Sequence, residues 1–362
     1  MSNWGTTPAV SNLLDHGKRP LTYSQAIYEA TRLALADDPR VRVFGEGATD
    51  ALGIYGTTKG LHQEFKDRVW DMPLSEGLIT GLGIGMALAG LRPIVIHPRN
   101  DFLLLGLDQL CNHAAKWRFM FGDKPRVPMT VRSVACRGWG SGSQHAQALH
   151  SIVAHFPGLN VLVPFTPSDA KGFLLWSVLE SSGPTVIMEH KWLWNLKGDV
   201  PPGVYTTRPG PPQVLKEGKD VTLVGISYGV AEALIAAKDL EGFGIDAEVI
   251  DVRSLTPLWT EIMCESVEKT SRIAVIDTGH TSYGASGEII SRVVEGIRGK
   301  LRARPLRIGL PDTPVPAGSE STFYYDAVQI RERVLEMFYR GGKRYADTGH
   351  RRSRLSRVCI GP

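Results

Sequence analysis

The chain has 362 residues, 43% hydrophobic and 22% charged, with a formal net charge of +4. That is enough for about two domains with ordinary cores, and so small a net charge gives no support to a nucleic-acid partner. No apolar run reaches the ~20 residues of a membrane span, the first twenty residues lack a signal-peptide core, and Cys111, Cys136, Cys264 and Cys359 show no Cys-x-x-Cys spacing, so reduced thiols and a cytoplasmic location are expected.

Residues 1–20 read as an N-terminal arm. Thr22 to Ala36 is an amphipathic helix, with Ala26, Ile27, Ala30, Leu33 and Ala34 as its apolar stripe and Thr22 or Ser24 as cap. A strand, Val41 to Phe44, runs into Gly45-Glu46-Gly47, and a loop through Gly53 and Gly56 leads to a short helix ending at Phe65. The next helix opens at Glu76 and places Gly77, Gly81, Gly85 and Ala89 four apart, on one face. Glycine costs a helix interior roughly 1 kcal/mol per site, and a close helix crossing is the expected compensation. Then come a strand, Pro93 to His97, and a helix, Leu103 to Phe119, with Leu107, Leu110, Cys111, Ala114 and Ala115 inward. A strand at Val127 to Val131 leads to a Gly-rich loop, Arg137 to Gly142. Strands at Val161 to Pro164 and Thr185 to Met188 flank a helix, Ala170 to Leu179.

Residues 191–213 hold Pro201, Pro202, Pro209, Pro211 and Pro212 with little periodicity, and read as a linker. Beyond it strands at Val221 to Ile226, Ala247 to Val252, Ile273 to Ile276 and Leu306 to Leu310 alternate with helices at Val230 to Leu240, Ile262 to Glu268 and Gly287 to Ile297. Short continuous apolar strands alternating with helices indicate an α/β protein with two doubly wound, mainly parallel sheets. The domains are then 21–190 and 214–340. The basic run from Arg340 to Arg357 places a solvated tail over 341–362.

The chemistry is narrowed by what is missing. Gly81-Leu82-Gly83-Ile84-Gly85-Met86 fails the dinucleotide spacing, and there is no P-loop. His145, His150 and His155 are five apart and would diverge on a helix, so zinc is not expected. What remains is Glu76 at the mouth of an apolar helix, the loop with Arg137, Gly138, Gly140 and Gly142, and His145 just after it. Such a loop can offer backbone N–H groups to a ligand. His145 either moves protons near neutral pH or serves as a capping or core residue. Glu76 is either an acid favoured by the helix dipole or, if buried with a raised pKa, a partner for a basic ring nitrogen.

Pro73-Leu74-Ser75-Glu76 followed by Gly81-Leu82-Gly83-Ile84-Gly85-Met86-Ala87-Leu88-Ala89-Gly90-Leu91-Arg92-Pro93 resembles the β subunit of the thiamine-diphosphate-dependent 2-oxoacid dehydrogenase E1 components, relatives of transketolase. Gly45-Glu46, Asp108-Gln109, Gln144-His145 with Gln147, His155-Phe156-Pro157-Gly158, Pro167-Ser168-Asp169-Ala170-Lys171-Gly172 and Asp312-Thr313-Pro314 extend the likeness over about residues 20–340. The resemblance implies a pyrimidine-binding domain followed by a transketolase C-terminal domain. It implies Glu76 and His145 as catalytic residues and Leu74, Ser75, Glu76, Arg99 and Phe102 as residues around the cofactor. In that family the glutamate hydrogen-bonds N1′ of the aminopyrimidine and promotes loss of the thiazolium C2 proton, and the histidine lines the substrate channel. The diphosphate and its Mg²⁺ are held by a Gly-Asp-Gly…Asn motif on an α subunit, and no Gly-Asp-Gly occurs here. An α₂β₂ assembly, a small-molecule 2-oxoacid substrate and a lipoyl or carrier-protein acceptor are therefore expected. A split-transketolase-type subunit moving a two-carbon ketol unit, and a non-catalytic partner subunit, are the alternatives. Departures stand at Ile96 and Arg99, where the family has an acid and an aromatic, at His150, where it has Glu, and at Thr278-Gly279-His280, which replaces a Glu-containing turn.

Overall fold

The computed structural model describes residues 10, 13–137, 140–318 and 323–339. The expected basic tail, most of the N-terminal arm and Gly138 lie outside them. Thr22 starts the first long helix. Its hydroxyl accepts from Gln25 N at 3.2 Å, and the Gln25 side chain accepts from Thr22 N at 2.9 Å, a reciprocal capping box. β1 (Pro20–Thr22) thus leads into α1 (Tyr23–Asp37), which buries Ala26, Ile27, Ala30 and Ala34.

The first domain continues through β2 (Val41–Gly45), α2 (Leu61–Glu64), β3 (Val69–Asp71), α3 (Glu76–Leu88) and β4 (Arg92–His97). It goes on through α4 (Ala115–Met120), β5 (Thr130–Ala135), α5 (His150–Ala154), β6 (Asn160–Leu162), α6 (Pro167–Leu179), β7 (Thr185–His190) and β8 (Lys197–Asp199). The second domain holds β9 (Gln213–Lys216), β10 (Val221–Gly225), α7 (Tyr228–Glu241), β11 (Ala247–Asp251), β12 (Ser254–Thr256), α8 (Glu261–Thr270), β13 (Ile273–His280), α9 (Ala285–Gly296), β14 (Leu306–Leu310) and α10 (Ala327–Tyr339).

The two expected sheets are present. One has the order β12-β6-β7-β5-β4-β2-β3 and is parallel except for β12. The other has the order β14-β13-β10-β11-β9 and is parallel except for β9. Central strands such as β5, β7, β10 and β11 are buried along their whole length, which is why they read as unbroken apolar runs rather than alternating ones.

Three expectations change in the structure. The strand expected at Val127 to Val131 starts at Thr130 and runs to Ala135; Pro128 lacks the N–H a ladder needs. The single helix expected over Leu103 to Phe119 is a 3₁₀ turn, Phe102–Gly106, then a π-helical stretch, Asp108–Ala114, then α4. At the end of the 3₁₀ turn, a Cβ on Gly106 would meet Thr80 Oγ1 at 2.5 Å. The Pro-rich segment is not featureless either. It opens with a 3₁₀ turn, Lys191–Leu193, and β8 pairs antiparallel with β1. α10, which the sequence reading lacked, buries Ala327, Ile330 and Val334 and packs on α7.

The domains are tied together by buried polar contacts as well as by β12. Arg253 donates to both oxygens of Asp169 on α6, at 2.8 and 2.5 Å. His150 on α5 and Asp277 on β13 meet at 2.8 Å, both nearly inaccessible. The family departure at His150 thus meets the residue just before the other departure, Thr278-Gly279-His280 at the end of β13. Asp277 also accepts from Gly279 N and Ser286 N. Its pKa is lowered: burial pushes it up, and His150 together with the Gly279 and Ser286 amides outweighs that.

Candidate active site

The first sheet runs outward from β2 to β3 and then crosses back to β4 on the other side of β2. That reversal opens a crevice at the carboxyl ends of β2 and β4, the usual position of a ligand in an open α/β sheet. Glu46 follows β2, Asp71 ends β3, Glu76 opens α3, His97 ends β4, Cys136 follows β5 and Lys191 follows β7.

Glu76 occupies the first turn of α3, where the helix dipole favours an acid, and only 8% of its surface is accessible. Thr80 Oγ1 donates to Glu76 O at 2.7 Å and meets His97 Nε2 at 3.1 Å. The hydroxyl hydrogen is spent on the carbonyl, so His97 must donate from Nε2 and leave Nδ1 as an acceptor. Burial holds the His97 pKa down to about 4, so the ring is neutral at pH 7. Across the crevice the Glu46 carboxyl is pushed up to about 7, by burial first and then by Glu76 and Asp71. Its Oε1 is buried with no hydrogen-bond partner. The site therefore pairs a carboxylate at a helix terminus with a carboxyl still protonated in the neutral range. Sequence reasoning noticed Glu46 only within the Gly45-Glu46 likeness. Its nearness to Glu76 needs the β2–β3 pairing to be known.

His145 lies in a turn, not on a helix, and is half-buried. The loop is fixed from the β4 side by Asp101 and Asn100. Asp101 Oδ1 accepts from Gln147 N at 3.2 Å and from Gln147 Nε2 at 2.9 Å. Asn100 donates to Gln147 O at 2.8 Å and accepts from Leu149 N at 2.9 Å. The second domain holds it too, Val315 O accepting from Ser143 Oγ and Tyr324 OH donating to Ala146 O. Phe102 stands edge-on to the His145 ring with centroids 5.1 Å apart. The 3₁₀ turn that Phe102 begins also crosses the first turns of α3, so one short element braces both His145 and the helix of Glu76.

Leu74 is 82% exposed and Ser75 half-buried. With Leu78 and Leu105 also exposed, and open space around Gly85, the outer face of α3 presents an apolar strip. The glycine stripe accordingly packs in part. Gly77 and Gly81 lie at ordinary contact distance from Leu105 and Gln109, whereas Gly85 meets nothing. The tightest approach is on the opposite face, where a Cβ on Gly83 would meet Met129 Sδ at 2.6 Å and Val95 Cγ2 at 2.7 Å.

Arg137 does not face this crevice. It is 5% exposed and sits among Tyr324 at 4.1 Å, Trp192 at 4.4 Å, Tyr228 at 5.3 Å and Tyr325 at 5.5 Å, donating to Tyr325 O at 2.9 Å. The expected ligand loop therefore begins with an interdomain cation–π contact. Arg99 is half-buried on the loop after β4, close to Cys136, Tyr55 and Lys191.

Among the described residues no cluster of three or more His, Cys, Asp and Glu could hold a metal, and no helix is long and apolar enough to cross a membrane. A separate groove of about 1310 Å³, lined by Ala115, Phe119, Gly158, Trp176 and Pro257, opens at the amino ends of β6 and β7, away from these acids. For thiamine diphosphate the donor set fits at the aminopyrimidine end. A buried orphan carboxyl oxygen and a helix-terminal carboxylate suit a basic ring nitrogen beside an amino group. The Gly-Asp-Gly motif expected at the diphosphate does not occur in this chain.

Residues 19–196 match the pyrimidine-binding domain of transketolase, and residues 210–330 match the transketolase C-terminal domain. The β subunit of acetoin:2,6-dichlorophenolindophenol oxidoreductase from Cupriavidus necator is 37% identical over 90% of this chain and 99% of its own length. Its Bacillus subtilis counterpart is 40% identical over 82% and 91%. The pyruvate dehydrogenase E1 component subunit β of Bacillus subtilis is 35% identical over 87% and 99%. Among solved structures, an inactive β4 tetramer of a split-gene transketolase superposes with a TM-score of 0.72 at 21% identity, covering 88% of this chain and 98% of that one. At that identity the likeness speaks for the fold.

Proposed function

This chain belongs to the transketolase-like family that includes the β subunits of the acetoin and pyruvate dehydrogenases, and on that premise we propose that it is the β subunit of a thiamine-diphosphate-dependent 2-oxoacid dehydrogenase. It would decarboxylate a 2-oxoacid and pass the acyl unit to a lipoyl or carrier-protein acceptor. The observation that carries this reading is Glu76, buried at the head of α3 near Glu46, whose pKa is raised to about 7. Bound thiamine diphosphate supplies a nucleophilic carbon and an electron sink for the carbanion that decarboxylation leaves.

Glu76 would hold the proton at N1′ of the aminopyrimidine, and Glu46 would donate its own proton within the same crevice and keep a second negative charge away from Glu76. His97, neutral and locked by Thr80, fixes the first turn of α3 without adding charge. Ser75 and Phe102 would flank the ring, with Leu74 reaching past it. His145, aimed by Phe102 and by the Asp101–Gln147 contacts, would hydrogen-bond the substrate and move a proton at its carbonyl oxygen.

An α subunit would supply the diphosphate and Mg²⁺ site and cover the apolar strip of Leu74, Leu78 and Leu105, giving an α₂β₂ assembly in the cytoplasm. The test is co-expression with an α-type partner, followed by a screen of the assembled protein against 2-oxoacids and ketose phosphates. Release of CO₂ from a 2-oxoacid, dependent on thiamine diphosphate, is expected. Turnover of ketose phosphates alone would overturn the reading.

A further inference from the structure

The loop that carries His145 belongs to the first domain, yet the second domain grips it on both sides of the histidine. His145 N donates to Gly142 O at 3.2 Å, closing a turn in which Gly142 is left-handed, with φ at +73°. A Cβ on Gly142 would stand 3.2 Å from Ala317 Cβ. The next residue, Ser143, donates through Oγ to Val315 O at 2.9 Å. Just past His145, Ala146 O accepts from Tyr324 OH at 3.3 Å. Ala146, Leu310, Val315 and Tyr324 also close on one another as a small buried cluster, separate from the two main cores. The second-domain side of this grip is itself anchored. After β14, Pro311 O accepts from His280 Nδ1 at 2.7 Å and Leu310 O from Thr281 N at 3.0 Å. The Tyr324 ring lies 4.1 Å from the Arg137 guanidinium, at the start of the same loop.

The first-domain bonds from Asn100 and Asp101 reach Gln147 and Leu149, both beyond His145. Ahead of it, Gly142 and Ser143 lean on the second domain. We propose that Ser143 and Tyr324 are positioning residues for His145, through which the second domain sets where the imidazole stands; this rests on the reading above, in which His145 acts at the substrate carbonyl. With Gly142 and Ser143 fixed on one side and Ala146 on the other, the backbone at His145 has little freedom, and Phe102 meets the ring edge-on. A group that passes a proton must lie within hydrogen-bond reach of the reacting atom, and a misplacement of about 1 Å can cost on the order of 10²-fold in rate. The second domain, which supplies none of the acids in the crevice, thereby gains a part in the chemistry.

The test is a double-mutant cycle on the complex assembled with its α-type partner, read as CO₂ release from the 2-oxoacid it turns over. Tyr324→Phe keeps the ring against Arg137 and removes the donor to Ala146 O. Ser143→Ala removes the donor to Val315 O. Each is expected to lower kcat roughly ten- to hundredfold and to change KM far less. The same two substitutions are then made in His145→Ala, with enzyme in excess over substrate so that slow turnover stays measurable. There neither should cost anything further, because no ring remains to be aimed. A merely structural role would carry over into that background undiminished. Ser143→Ala removes only a hydroxyl at an exposed residue, so it decides the matter if Tyr324→Phe does not fold. Single variants at the wild-type kcat, or equal losses with and without His145, would overturn the positioning role and leave the dehydrogenase reading standing. A His145→Ala complex as fast as wild type would remove His145 from the chemistry and the positioning role with it. Failure to release CO₂ from any 2-oxoacid would overturn the dehydrogenase reading itself.

Discussion

At Glu46 a carboxyl retains its proton into the neutral range because burial, Glu76 and Asp71 all oppose its ionisation. Its folded-state pKa is raised from 4.5 to about 7, so the native state binds this proton more tightly than the unfolded chain does. Stability therefore falls as pH climbs between those values. Glu46→Gln removes the ionisation and keeps the shape. Denaturant melts should find the variant more stable than wild type at pH 8, with the gap closing toward pH 4.5; a gap that does not narrow would refute the raised value. Glu76→Gln should leave the melt nearly unchanged and lower turnover of the assembled enzyme by roughly 10²- to 10⁴-fold, the range of a proton-transfer group. Near-wild-type turnover would remove Glu76 from the chemistry. The two acids were unequally legible in the sequence. Glu76 stands out as the one carboxylate at the head of an apolar helix. Glu46 is inconspicuous until β2 is laid between β3 and β4. Arg137 misled for the same reason: the aromatic residues around it come from positions 192, 228, 324 and 325, which no local pattern connects.

The glycines of α3 make opposite demands on the helix. Gly83→Ala would force a methyl into Met129 and Val95, and overpacking of this kind costs about 1–3 kcal/mol. Gly85→Ala meets only open space, so the isolated chain should gain about 0.5–1 kcal/mol from helix propensity. Thermal melts of the two variants should move in opposite directions. If the apolar strip on α3 is where another chain closes on this one, Gly85→Ala should also weaken assembly, read by sedimentation with the α-type partner; unchanged assembly would move the interface elsewhere. Four-residue spacing revealed the small stripe, but not which glycine is crowded, because Gly83 is held by strands outside the helix. Likewise the apolar period foretold a helix across 103–119. It could not show the 3₁₀ turn, whose Gly106 passes close to Thr80, or the π-helical stretch that follows. α10 did carry a legible stripe at Ala327, Ile330 and Val334, and it was hidden by its closeness to the basic run that follows.

Between the two domains, the His150–Asp277 contact carries a buried charge across the boundary. His150→Ala would leave Asp277 with only its two backbone donors, and breaking such a pair costs about 3 kcal/mol or more. A melt lowered by less than 1 kcal/mol would mean that the pair matters little to the joint. The depressed pKa of Asp277 adds stability above the unfolded value of 3.8, lost as pH falls through the folded one, so wild type and variant should converge in strong acid. The doubly wound plan of both domains was legible because it rests on apolar strand runs. The joint was not, since β12 is three residues long and pairs with β6 across a long stretch of chain. That strand also bears on how the protein is made. The ribosome finishes β6 well before it reaches Ser254, and at 5–20 residues per second the interval is on the order of 10 s. Once β7 has emerged and joined the sheet, the nascent first domain presents β6 as an unpaired edge until β12 arrives, a template for association with other chains. Translation stalled before Ser254 but far enough past Asp199 for β7 and β8 to leave the exit tunnel should therefore yield a nascent chain that recruits holdase chaperones, and one stalled far enough past Thr256 for β12 to leave it should release them.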